Sequence, residues 1–195
     1  MAQFSSVSTD ANAFGFRPYR SLTPPHVQYF QESTAVSSQL IKAGHVVSFD
    51  TVVASASHRI VVAPSSGGNG ANLLQTTNVL GVALANSTSD GSTAGLGTYG
   101  RNIPVALAVA GQEFLGYLAG DLPSHSSIVG LTRAVRWDAT RNLFNIDSTN
   151  STAALANVVI TGVVEESTVG DTNGPVIFRF LSTQTAPAIG RGSAG

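Results

Sequence analysis

Four histidines offer the most versatile chemistry in this chain: His26, His45, His58 and His125. No two stand two to four residues apart, the spacing by which one element presents a pair of metal ligands. Ser124-His125-Ser126 follows Pro123 in a turn-like stretch. A nucleophilic triad needs a base, a nucleophile and an orienting acid that converge. No Gly-x-Ser-x-Gly elbow is present to hold such a serine, so a surface turn is the expected setting for His125. Glu165-Glu166 is the one adjacent acid pair, and neighbours in a strand point to opposite faces, where they cannot share a proton. Asp138 and Asp147 flank the hairpin-like stretch Asp138-Ala139-Thr140-Arg141-Asn142. There they read as turn formers rather than as a glycosidase pair. Gly67-Gly68-Asn69-Gly70 lacks the Gly-Lys-Ser/Thr ending of a phosphate loop. Asn86-Ser87-Thr88 and Asn150-Ser151-Thr152 match the glycosylation sequon, which means little without a secretory signal. The chain has no cysteine, which excludes disulfides, thiolate metal sites and cysteine nucleophiles. The reading is a non-enzyme with no catalytic, metal-binding or cofactor-binding residues.

A different chemistry is concentrated near the N-terminus. Phe14, Phe16, Arg17, Tyr19, Arg20, Tyr29 and Phe30 crowd together around Pro18, Pro24 and Pro25, without helical or strand spacing. Consecutive prolines favour extended backbone. Aromatic and Arg side chains are the usual anchors of protein interfaces. Residues 1–38 therefore read as an extended arm whose anchors contact another chain. The plainer alternative is an N-terminal strand with loops.

Composition narrows the class of partner. Hydrophobic residues make up 43% of the 195-residue chain and charged residues only 11%, about half the share in an average soluble domain. Ser, Thr, Asn and Gln must then supply the polar surface. A weakly charged surface repels neighbours poorly and suits permanent assembly, so self-association is expected. The formal net charge of −1 argues against a nucleic-acid binder, which needs a basic footprint. Lys42 is the only lysine among the basic residues; Arg suits planar, partly buried contacts better. The longest apolar run, Ile103 to Ala110, contains Pro104 and falls well short of the roughly 18 residues of a membrane span. No secretory signal and no membrane attachment are expected.

The elements that would position these residues are strands. Short β-branched runs lie at 46–53, 59–63, 79–84, 103–109, 113–119, 127–131, 134–137, 143–146, 158–164 and 176–181. Gly, Ser, Asn and Pro punctuate them, which predicts an all-β barrel or sandwich. Brief helical turns are expected near 72–76 and 151–157. The organisation reads as an arm over 1–38, a β-rich body over 39–184 and a flexible tail over 185–195. The body carries an echo. An Arg-led strand, a Gly-Val strand and a Pro-led strand follow one another twice: Arg59-Ile60-Val61-Val62, Gly81-Val82 and Pro104-Val105, then Arg141-Asn142-Leu143-Phe144, Gly162-Val163 and Pro175-Val176. Residues 59–110 and 141–181 thus read as two related β-halves.

Some of these motifs resemble those of capsid cement, or decoration, proteins of tailed bacteriophages. Ile41-Lys42-Ala43-Gly44-His45-Val46-Val47 is similar to that family's early Lys-Ala-Gly-Asp-Val-Val, with His45 where Asp is usual. Val79-Leu80-Gly81-Val82-Ala83-Leu84, Gly162-Val163-Val164-Glu165 and Gly174-Pro175-Val176-Ile177-Phe178 complete the likeness, which spans residues 39–181. The resemblance implies a compact β-barrel or β-tulip body bound to the outer capsid surface, commonly as a trimer, with the major capsid protein as partner and no catalytic residues. Assembly in the host cytoplasm would follow. The competing expectation is a tail, baseplate or head-fibre component that binds a host-surface glycan through exposed aromatics, for which Trp137, Tyr99 and Tyr117 are the candidates.

Overall fold

A computed structural model describes residues 15–21, 26–32, 41–50, 59–63, 65–66, 73–74, 79–86, 102–119, 126–149, 155–164 and 174–181. Their strands, in chain order, are β1 (Arg17–Ser21), β2 (Val27–Glu32), β3 (Val46–Phe49), β4 (Arg59–Val62), β5 (Ser65–Ser66), β6 (Leu73–Leu74), β7 (Val79–Ala83) and β8 (Asn102–Leu107). They continue as β9 (Gln112–Ala119), β10 (Thr132–Asp138), β11 (Leu143–Asp147), β12 (Val158–Val163) and β13 (Pro175–Phe180), with a short 3-10 turn at Ser126–Ile128. The fold is all-β, as the β-branched runs predict.

The strands close into two five-stranded barrels. In barrel 1 the ring runs β2-β4-β3-β7-β8 and returns to β2. In barrel 2 it runs β9-β11-β10-β12-β13 and returns to β9. The two rings have one topology. In each, the first strand runs parallel to the third and antiparallel to the fifth, and the second lies antiparallel between the third and fourth. Gly81 and Gly162 occupy equivalent strands, each paired with the Pro-led strand that follows it. The repeating unit is longer than the sequence echo, because each barrel also includes two upstream strands that carry no such echo: β2 and β3, or β9 and β10.

Local chemistry explains the turns. Barrel 1 passes into barrel 2 through Ala108–Gly111, where the Gln112 amide donates to the Val109 carbonyl and Gly111 takes φ +84°. The β10–β11 hairpin closes through Asp138, whose carboxylate accepts from the amides of Thr140 and Arg141. Asn142 ends that turn at φ +55°, a left-handed conformation that Asn tolerates better than most residues.

Two sequence expectations change. The run 127–131 is a turn, not a strand: the Leu131 amide donates to the Ile128 carbonyl, and Gly130 has φ +88°. Leu73–Leu74 is a strand, not a helical turn. It pairs with Ser65–Ser66 in a small hairpin and meets β10 at Arg136, so barrel 1 reaches across to barrel 2.

The described part of residues 1–38 is built into the body. β1 lies antiparallel along β9 from Gln112 to Leu115, on the edge that β11 occupies further along. β2 closes barrel 1 by pairing with β8 along five residues. One hydrophobic core runs through both barrels and includes Phe16 and Phe30. Residues 1–14, 22–25 and 33–38 of the expected arm, and the expected tail over 185–195, lie outside the described residues.

Candidate partner-binding face and the junction between the barrels

The seven N-terminal candidates separate by burial. Phe14 lies outside the described residues. Phe16 is only 2% exposed. Its ring sits 4.7 Å from that of Phe178 and 6.5 Å from that of Phe144, inside barrel 2. Phe30 is 5% exposed and meets Phe49 edge-on at 5.9 Å in barrel 1. These two aromatics are core residues rather than partner anchors. Each finds apolar neighbours in its own chain, and that burial is worth roughly 1.5–3 kcal/mol apiece.

The remaining four face outward. Tyr19 is 51% exposed and Tyr29 68%, with Arg17 and Arg20 exposed on the same strand as Tyr19. Arg20 Nε donates to Glu113 Oε2 at 2.7 Å. Burial pushes the Glu113 carboxyl up, but the hydrogen bond from Arg20 and the charges of Arg20 and Arg179 outweigh it and hold the group below its ordinary value. This pair pins β1 to β9.

The repeat sharpens the meaning of Tyr29. It stands opposite Pro104 across β2 and β8, as Tyr117 stands opposite Pro175 across β9 and β13. Tyr117 is 5% exposed. The tyrosine of this cross-strand pair is therefore covered in barrel 2 and bare in barrel 1, where Val27 on the same strand is also exposed. A bare aromatic next to an apolar neighbour is the expected centre of a contact surface. The sequence placed Tyr29 in the candidate set but did not mark Val27. No sequence signal marked it, because the exposure of Val27 and Tyr29 beside the buried Phe30 follows only once β2 is known to be a strand.

The glycan alternative fares differently at its named residues. Tyr117 is buried, and Trp137 packs on Phe144 at 4.8 Å and on His45 at 5.2 Å. Tyr99 lies outside the described residues, as do His58, His125 and Glu165-Glu166. Among the described residues no cluster of three His, Cys, Asp or Glu could hold a metal. No described helix is long and apolar enough to cross a membrane. Asp147 does work of its own, accepting from the Thr149 amide and hydroxyl to shape the turn after β11.

The second notable arrangement is the junction between the barrels, centred on His45. Its side chain is 1% exposed. The Lys42 amide donates to Nδ1 at 3.1 Å, and Nε2 lies 2.9 Å from the Asn142 carbonyl of barrel 2. A carbonyl only accepts and an amide N–H only donates, so the ring is neutral with its proton on Nε2. Gly44 and Gly15 meet backbone to backbone beside it, and the Phe16 amide donates to the Gly44 carbonyl. The turn before β3 thus ties β1, barrel 1 and barrel 2 together.

No family model matches this chain, and neither a curated protein nor a solved structure matches it.

Proposed function

We propose that the chain is a non-enzymatic structural protein of a phage virion. In this reading it binds the outer capsid surface, contacts the major capsid protein and stabilises the shell by bridging neighbouring subunits. The supporting observation is the bare Tyr29–Val27 face of barrel 1, set beside a repeat copy whose equivalent tyrosine is covered. Tyr19 and Arg17 on β1 extend the set of outward anchors. A body of two mutually braced barrels is a stiff mount for such anchors, and stiffness reduces the entropy lost on docking. Low charge favours permanent association, and a trimer would multiply weak contacts into avidity.

The test is co-sedimentation of purified protein with emptied, expanded capsids, wild type beside Tyr29→Ala. Saturable binding that drops at least about tenfold in affinity for the variant supports the reading. Absence of binding, or equal binding by both proteins, counts against it.

A further inference from the structure

The junction holds a buried titratable ring that the proposed capsid contact does not use. We propose that His45 is a proton-sensitive latch between the two barrels, closed while the ring is neutral and released when a second proton reaches Nδ1. In the closed state both ring nitrogens are satisfied, one by the Lys42 amide on its own turn and the other by the Asn142 carbonyl across the junction. A proton on Nδ1 turns that acceptor into a donor facing the Lys42 N–H, so the bond must break. It also places a charge in a site walled by the apolar rings of Trp137 at 5.2 Å and Phe144 at 6.1 Å, each nearly perpendicular to the imidazole.

The charged groups on the surrounding elements do not relieve this. Lys42, on the same turn, disfavours the added charge. Asp138, on the opposing hairpin, is paired with Arg141 at 3.4 Å. Arg17 on β1 and Arg136 on β10 are cations. Burial first, and Lys42 after it, outweigh the Asn142 bond and hold the ring below its ordinary value of 6.5.

The linkage has a defined sign. The open junction binds a proton more readily than the closed one, so closure is fully favoured above pH 6.5 and is lost as pH falls from there through the depressed value. Opening should rise by up to about tenfold per pH unit across that window. Nε2 keeps its proton and can still donate to the Asn142 carbonyl; that bond is lost only as the charged ring, with nothing to accept from Nδ1, leaves the junction for water, which frees the Asn142 turn, left-handed at φ +55°, from barrel 1.

The experiment is amide exchange by NMR on the wild-type protein between pH 7.5 and 4.5, expressed as protection factors. The Lys42 and Phe16 amides report the junction; Ala63 and Ile160, bonded to Val46 and Leu131, report the barrels. The expected result is loss of junction protection below pH 6.5 while the barrel amides keep theirs, in step with protonation of the His45 ring seen by its nitrogen shifts. In His45→Asn the side-chain carbonyl can still accept from Lys42 but cannot titrate, so the pH dependence should vanish. The latch is overturned if junction protection is flat with pH, if junction and barrel amides fall together, if the ring protonates without freeing Lys42, or if the Asn variant keeps the dependence. The ring and amide measurements use the wild-type protein and decide the matter even if the variant does not fold.

Discussion

The ring of Phe16 lies directly over the backbone of Gly116: a β-carbon there would stand 2.7 Å from Phe16 Cε1 and 2.8 Å from Phe178 Cε1. A residue from the N-terminal segment thus fills a hollow that exists because β9 has no side chain at that point. Gly116→Ala should destabilise the protein by about 1–3 kcal/mol through overpacking. Phe16→Ala should cost about 3–5 kcal/mol through the cavity it leaves. Denaturant unfolding of both variants measures this. Neutral effects for both would mean that Phe16 does not plug barrel 2.

The two repeat glycines should differ in tolerance although their strands are equivalent. At Gly81 an added β-carbon would overlap the Ala106 carbonyl oxygen, and backbone cannot swing aside. At Gly162 the nearest atom is Ile177 Cδ1 at 3.2 Å, the end of a flexible side chain. Gly81→Ala should therefore cost more than about 3 kcal/mol or prevent folding, and Gly162→Ala about 1 kcal/mol or less. Thermal unfolding of the pair compares them; equal losses would show that β7 can draw away from β8.

Removal of residues 1–30 takes away β1, Phe16 and most of β2, so barrel 1 loses its closing strand. The truncated chain should fail to give a cooperative unfolding transition. A well-folded truncation product, by dispersed amide resonances, would restore the view that this segment is an arm separable from the body.

These cases also show how far the sequence could be read. The all-β class, the Gly-Val and Pro-led strands and the Asp138 turn were legible, because alternation and turn chemistry act over a few residues. β1 and β2 were not. Pro18 and the adjoining aromatics mask the alternation, and the antiparallel partners of the two strands, β9 and β8, lie far along the chain. The run 127–131 has strand-like residues, but Gly130 turns it. His45 could be named from sequence, yet its setting depends on Asn142, Trp137 and Phe144 arriving from the other barrel. Exposure of Tyr29 and burial of Phe30 follow from strand parity, which becomes clear only once β2 is known to be a strand.

Acid should weaken the attachment of β1 to β9. The folded Glu113 carboxyl is held below its ordinary value of 4.5, so its contribution is present above that pH and is lost as pH falls through the depressed value. Because the Arg20 side chain is largely exposed, salt should screen the effect. Glu113→Gln should remove the part of the acid destabilisation that lies below pH 4.5 and lessen the salt sensitivity. Stability curves against pH at low and high salt check this; unchanged curves would mean that the pair does not hold the strand.

The capsid assignment itself is tested most directly by the rupture temperature of emptied, expanded capsids with and without saturating purified protein. Binding of a ligand to the intact shell but not to its dissociated subunits must raise that temperature, by more as ligand concentration rises above the dissociation constant. The account predicts a dose-dependent rise with wild-type protein and a smaller one with Tyr29→Ala at the same concentration. No rise at full saturation, or a rise of equal size with the variant, would contradict it.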